Sequence, residues 1–130
     1  MAAGALATVA SMAKPRIQTH IGAHAVRQAL AGAADRETIA TATRYLLQVL
    51  TDAAPGPTVE VRVPPFGAVQ CVEGPTHTRG TPPNVIEMAP ATWIALATGG
   101  VSWADALADA RVSASGTRAD LSALLPLAWH

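Results

Sequence analysis

The sequence predicts one α/β (α+β) sandwich in which helices cover one face of a sheet, and three observations point there. Two stretches before residue 54 repeat apolar residues at helical steps. The stretch Val59–Val63 then alternates apolar with charged residues. The last third, Val85 to Leu127, arranges short extended runs around two helical segments that each carry a tryptophan. Alternating strands need one covered face, and amphipathic helices need an apolar surface to lie on, so the two kinds of element complete each other. A chain of 130 residues suits one domain and buries roughly two thirds of its unfolded surface.

Residues 1–15 read as a disordered leader, and the domain as residues 16–130. The run MAAGALATVASMA has the small apolar residues of a signal peptide but no cationic leading region, because Lys14 and Arg16 follow it. Met12 is a second candidate start. From Ile17 to Ala33 the residues Ile21, Ala25, Val26, Ala29 and Leu30 outline a short amphipathic helix, which Gly32 helps to end. A stronger helix follows over Arg36–Ala53, with Asp35 as its N-cap and Ile39, Ala42, Leu46, Val49, Leu50 and Ala53 as its buried stripe. Pro55-Gly56-Pro57 stops it.

Val59, Val61 and Val63 then face a core from one strand, closed by Pro64-Pro65. A second extended run, Phe66 to Glu73, pairs with it antiparallel, with Val69 and Cys71 on one face and Gly67 marking a bulge. Gly74 to Pro83 is a loop, and Asn84 to Met88 returns to a strand with Ile86 and Met88 on one face. Pro90 fits the first turn of the next helix, whose apolar side is Trp93, Ile94, Leu96 and Ala97 and whose end is Gly99-Gly100. Ser102 with Asp105 resembles a capping box and opens a short helix that turns Trp103 and Leu107 inward. Arg111 to Ser115 is a last strand with Val112 and Ala114 inward. Gly116 turns the chain into Ala119 to Leu125, for which both strand and helix remain open.

The composition excludes several functions. Nine basic residues balance nine acidic ones, so the cationic excess of a phosphate-neutralising nucleic-acid binder is missing. No run approaches the roughly 18 apolar residues that cross a bilayer, which argues against an integral membrane segment. The single cysteine, Cys71, fits a reducing compartment, with the cytoplasm as the expected location. His20 and His24 have the i, i+4 spacing of metal ligands but no third ligand near in sequence, so neither a metal nor a cofactor is expected. His, Cys and paired carboxylates are scarce where apolar residues are dense, which favours a binder over an enzyme.

Four segments together resemble the sterol carrier protein family of non-specific lipid-transfer domains, in particular its bacterial, actinobacterial branch. They are VEVRVPPFGAVQCVEG at Val59–Gly74, RGTPPNVIE at Arg79–Glu87, TWIALATG at Thr92–Gly99 and ASGTRADLSALLPL at Ala114–Leu127, and the resemblance covers roughly Arg44 to Leu127. A related domain is similar to the C-terminal part of mycothiol-dependent maleylpyruvate isomerases, where it follows a helical metal-binding domain not seen in these residues. The resemblance implies a curved, mostly antiparallel sheet covered on one face by helices, with a lipid-sized tunnel between the layers. One position departs from the pattern: the family has Gly before the final strand, and here the residue is Ala110. An Ala held at positive φ carries a cost.

From this follow the expected site residues. Val69, Ile86, Met88, Trp93, Leu96, Trp103 and Leu107 are the candidate lining of an apolar cavity; filling the core is the alternative role for the same side chains. Arg79, in the rigid loop after His77, and Arg118, after Gly116, are candidates for an anionic headgroup. The expected function is a non-catalytic carrier that encloses a lipid or another apolar small molecule. Two alternatives stand beside it: a closed-core interaction module that self-associates as a homo-oligomer or joins a separate enzyme, and an accessory to mycothiol-type thiol chemistry.

Overall fold

The structure is a computed structural model that describes residues 15–74 and 83–130. Its first helix, α1, is Thr19–Leu30, and its second, α2, is Arg36–Ala53. Between them Gly32 takes a φ of +107°. The Asp35 carboxylate caps α2 by accepting a hydrogen bond from the Thr38 amide at 3.0 Å, which satisfies one of the donors a helix start leaves free.

Helix α1 buries Gly22, Ala23, Ala25 and Val26, a narrower and smaller-sided face than the sequence predicts. Gly22 lies so close to Tyr45 of α2 that a Cβ added there would overlap the phenol ring. Small residues therefore carry the α1–α2 contact, and the larger Ile21 and Leu30, expected in the buried stripe, flank it at 49% and 53% exposure. Ala53, expected in the stripe of α2, is exposed at its last turn. The Tyr45 hydroxyl donates to the Trp129 carbonyl at 2.5 Å and so ties α2 to the C-terminal segment.

Four strands follow: β1 Val59–Val63, β2 Gly67–Cys71, β3 Asn84–Met88 and β4 Val112–Ser115. They form one mixed sheet in the order β2-β1-β3-β4. The β1–β2 pairing is antiparallel, as the short connection after β1 predicts; β3 and β4 are also antiparallel, and β1 and β3 run parallel. Cys71 and Asn84 both lie opposite Val59, so the chain leaves β2 and enters β3 at the same end of the sheet. Gly67 pairs in register with Val63, which replaces the expected bulge with a regular hairpin. The strand is shorter than Phe66–Glu73 because Val72 leaves extended geometry at a φ of +71°.

Between β3 and β4 lie α3, Pro90–Thr98, with Pro at its start and Gly99 as a left-handed C-cap, and α4, Trp103–Ala108. The Ser102 hydroxyl accepts from the Asp105 amide at 3.1 Å, the cap expected from the sequence. Ala110 then takes a φ of +57°, the strained geometry that the missing Gly implies. The segment Ala119–Leu125 is neither strand nor α-helix: one 3₁₀ turn spans Ser122–Leu124, after Leu121 has anchored itself in the core at 0% exposure.

The core lies between one sheet face and the helices. Val59, Val61 and Val63 of the interior strand β1 are fully buried against a continuous cluster that includes Leu46 and Leu50 of α2, Ile86 and Met88 of β3, and Trp93 and Leu96 of α3. Each such aliphatic side chain contributes about 1.5–3 kcal/mol of burial. The Trp93 indole N–H donates to the Thr43 carbonyl at 3.2 Å, so the largest core residue keeps its polar atom satisfied. The opposite face carries Glu60 and Arg62, which pair with each other, together with the exposed Gln70, Glu87 and Ser113. Ala114, expected inward, is exposed: β4 is an edge strand with β3 as its one neighbour.

Candidate functional site: a groove beside the β2 edge

An open groove of about 900 Å³ lies between the segment leading into α1, helix α2 and the start of β2. Its apolar lining comes from Ile17, Ile21, Leu47, Phe66, Ala68 and Val69. Helix α2 supplies Thr41, Arg44, Gln48 and Thr51, a polar line at three- and four-residue spacing that follows one side of the helix. The volume lies within the range of small-molecule sites, which pair an apolar lining with a few placed polar groups.

The walls are held by hydrogen bonds between side chains and backbone. The Gln48 amide reads both backbone groups of Ile17: its Nε2 donates to the Ile17 carbonyl at 2.9 Å, and its Oε1 accepts from the Ile17 amide at 2.9 Å. This fixes the extended segment that leads into α1. Beside it Arg16 forks onto Asp52, donating through Nη2 at 2.6 Å and Nη1 at 3.2 Å. The guanidinium holds the Asp52 carboxyl below its usual range. Both side chains are solvent-exposed, so solvent screens the pair and it contributes little to stability.

Phe66 is the pivot of the opposite wall. Its carbonyl accepts from Arg44 Nε at 3.0 Å, and its ring has the Arg36 guanidinium 5.1 Å and the Arg44 guanidinium 6.0 Å from its centre. The groove lining contains no carboxylate, and its charged members are Arg16 and Arg44.

Of the residues expected to line a cavity, Val69 lies in this groove. Ile86, Met88, Trp93, Leu96 and Trp103 belong to the continuous buried core, with Trp93 at 0% and Trp103 at 8% exposure. Leu107, expected inward, is 41% exposed: α4 turns Trp103 and Ala106 to the core, which leaves Leu107 on its flank. Arg118 donates from Nη2 to the Glu73 carbonyl at 3.1 Å, and its amide donates to Asn84 Oδ1 at 2.8 Å. The other expected headgroup residue, Arg79, and His77 lie outside the described residues. Cys71 is buried and its thiol is pushed up to about 11 by desolvation, the opposite of an activated nucleophile. His20 and His24 are exposed on α1.

The groove residues Ile17, Leu47, Phe66 and Arg44 were not singled out as site residues from the sequence. A signal was present in Arg44, a charged residue between the buried Thr43 and Tyr45 of α2, and in Phe66, the one phenylalanine of the chain. Among the described residues no helix is long and apolar enough to cross a membrane.

Comparison with curated proteins yields no match. A family model for bacterial SCP orthologs matches residues 35–127, which takes in α2, the whole sheet and the tryptophan-bearing helices and leaves α1 outside. With well over half of the chain matched, and with the mixed sheet and helical layer described above, the chain belongs to the sterol carrier protein family as a bacterial ortholog.

Proposed function

We propose that this protein is a non-catalytic carrier for a lipid or another apolar small molecule, and that the ligand lies in the groove between α1, α2 and the β2 edge. One observation carries the reading: a chain of the sterol carrier family has a groove of about 900 Å³ lined by Ile17, Ile21, Leu47, Phe66 and Val69. Transfer of an acyl chain from water onto that lining is favourable by about 0.8 kcal/mol for each buried CH₂. The tryptophan cluster then acts as the scaffold against which α2 is held, through the Trp93–Thr43 bond. Val69 is the residue from the expected lining that the ligand touches. A lone buried thiol is in keeping with work in a reducing cytoplasm.

Native mass spectrometry of the purified protein, followed by titration with a fluorescent fatty acid, tests the reading. A co-purified lipid or saturable uptake of the probe is expected, and Val69→Trp, which fills the groove from the strand side, is expected to abolish uptake while leaving the melting temperature near that of the parent. An empty mass together with no uptake would overturn it.

A further inference from the structure

We infer that the groove selects ligands with an anionic end, a long-chain carboxylate above its neutral analogue, and that Arg44 is the residue that reads the charge. The inference rests on the carrier reading. Two cations line the groove, Arg16 and Arg44. Arg16 is neutralised by a forked contact to Asp52. Arg44 forms no ion pair among the described residues, where the pairs are Arg16–Asp52 and Arg62–Glu60.

Arg44 is also pre-oriented. It is half-buried on α2, and its Nε is committed to the Phe66 carbonyl at 3.0 Å. This fixes the plane of the guanidinium and leaves the Nη hydrogens for another acceptor. A carboxylate matches that planar fork with two parallel hydrogen bonds. Thr41, which also lines the groove, lies three residues before Arg44 on the same side of the helix and supplies a hydroxyl beside it.

Arg36 adds an independent observation. Its guanidinium faces the same Phe66 ring, 5.1 Å from the centre, while that of Arg44 lies at 6.0 Å. Two like charges gathered on one ring repel each other, and a bound anion relieves that repulsion. The apolar stretch formed by Ile17, Ile21, Leu47 and Val69 then receives the chain that follows the carboxylate.

The test compares oleate with oleyl alcohol, which share one hydrocarbon chain, by displacement of a neutral fluorescent probe at pH 8. The parent protein is expected to bind oleate about tenfold or more tightly than the alcohol, the size of one charge-assisted contact. Arg44→Gln is expected to bring the ratio of the two affinities close to one, and Arg44→Lys to keep part of the preference, since the charge remains and the fork is lost. Arg36→Gln, which leaves the Arg44–Phe66 hydrogen bond in place, is expected to reduce oleate affinity by a smaller factor. Equal affinity of the parent for both ligands, or an undiminished oleate preference in Arg44→Gln, would sink the inference and leave the carrier reading standing. Binding of neither ligand would remove both.

Discussion

The two ends of the helical layer close over the sheet to different degrees, and the difference follows from side-chain size and placement. At the α3–α4 end Trp93, Leu96 and Trp103 lie at 0%, 1% and 8% exposure, because two indoles occupy the space that the many alanines leave. At the α1–α2 end the contact is made by Gly22, Ala23, Ala25 and Val26. The one large ring near β2, Phe66, lies beneath two guanidiniums, and Val69 on the edge strand stays half-buried. The same sheet is thus sealed where large residues cap it and grooved where small residues and cations do. Closure of this core is a matter of which residues stand over each strand, with no change in the strands themselves.

Substitutions can break that comparison. Trp93→Ala is expected to give the largest effect, a loss of about 3–5 kcal/mol in chemical denaturation, because it opens a void in the sealed end and removes the hydrogen bond to Thr43. Ile21→Ser, at a residue 49% exposed in the grooved end, is expected to stay within about 0.5 kcal/mol of the parent while weakening uptake of an apolar probe. Similar stabilities for the two variants would show that the ends do not differ as described.

Relief of backbone strain comes next in size. Ala110 at a φ of +57° and Val72 at +71° occupy the left-handed region at a cost of roughly 1–2 kcal/mol each. Ala110→Gly is expected to raise stability by up to about 1 kcal/mol, since part of the relief is offset by the greater freedom of Gly in the unfolded chain. Val72→Gly relieves the larger strain of a β-branched residue but also removes a half-buried side chain packed against the core, so its net gain is expected to be smaller. A fall in the midpoint of urea denaturation for both would disprove the strain.

The pH responses are smaller. Asp52 is lowered by the Arg16 hydrogen bond, Asp35 by the Thr38 amide and Asp120 by the Ser122 amide. A carboxyl depressed in the folded state stabilises it fully above the unfolded value near 3.8, and the contribution is lost as pH falls through the lower folded value. Melting temperature is therefore expected to drop below about pH 4, with a shallower drop in Asp52→Asn. Cys71 works in the opposite range: its thiol is raised from 9.0 to about 11 by burial. Its contribution is intact below pH 9.0 and is lost as pH rises through the folded value. At neutral pH the thiol is expected to react with an aromatic disulfide reagent at the rate of unfolding. Immediate labelling would show that the sealed side of β2 is open.

Much of the fold was legible in the sequence because its signals are local. Asp35 before the periodic run of α2, Pro90 at the start of α3, Gly99 at its end and Ser102 before α4 each specify a boundary through a backbone requirement. The alternation of Val59, Val61 and Val63 specified the buried face of β1 in the same way. The groove was less legible, since it depends on which residues of separate elements meet. Periodicity counted Ile21 and Leu30 as buried because they are apolar, whereas the close approach at Gly22 rotates them outward. Leu107 failed for a related reason, as a helix of six residues has room for one inward face and Trp103 with Ala106 fills it. The parallel β1–β3 pairing was likewise invisible to alternation, which is identical in parallel and antiparallel strands.

The contact at Gly22 has a consequence for the width of the groove. Helix α1 lies outside the matched family region of residues 35–127, yet Ile17, just before it, and Ile21, on it, form one jaw of the groove, while Tyr45 and Leu47 belong to the helix that forms the other. The missing side chain at residue 22 is what lets the jaws close to their present gap, like the stop on a calliper. Each atom added there is a shim between α1 and α2, so a graded series from Gly22→Ala to Gly22→Val would widen the opening stepwise. A single position on α1 would thereby set the width of the groove.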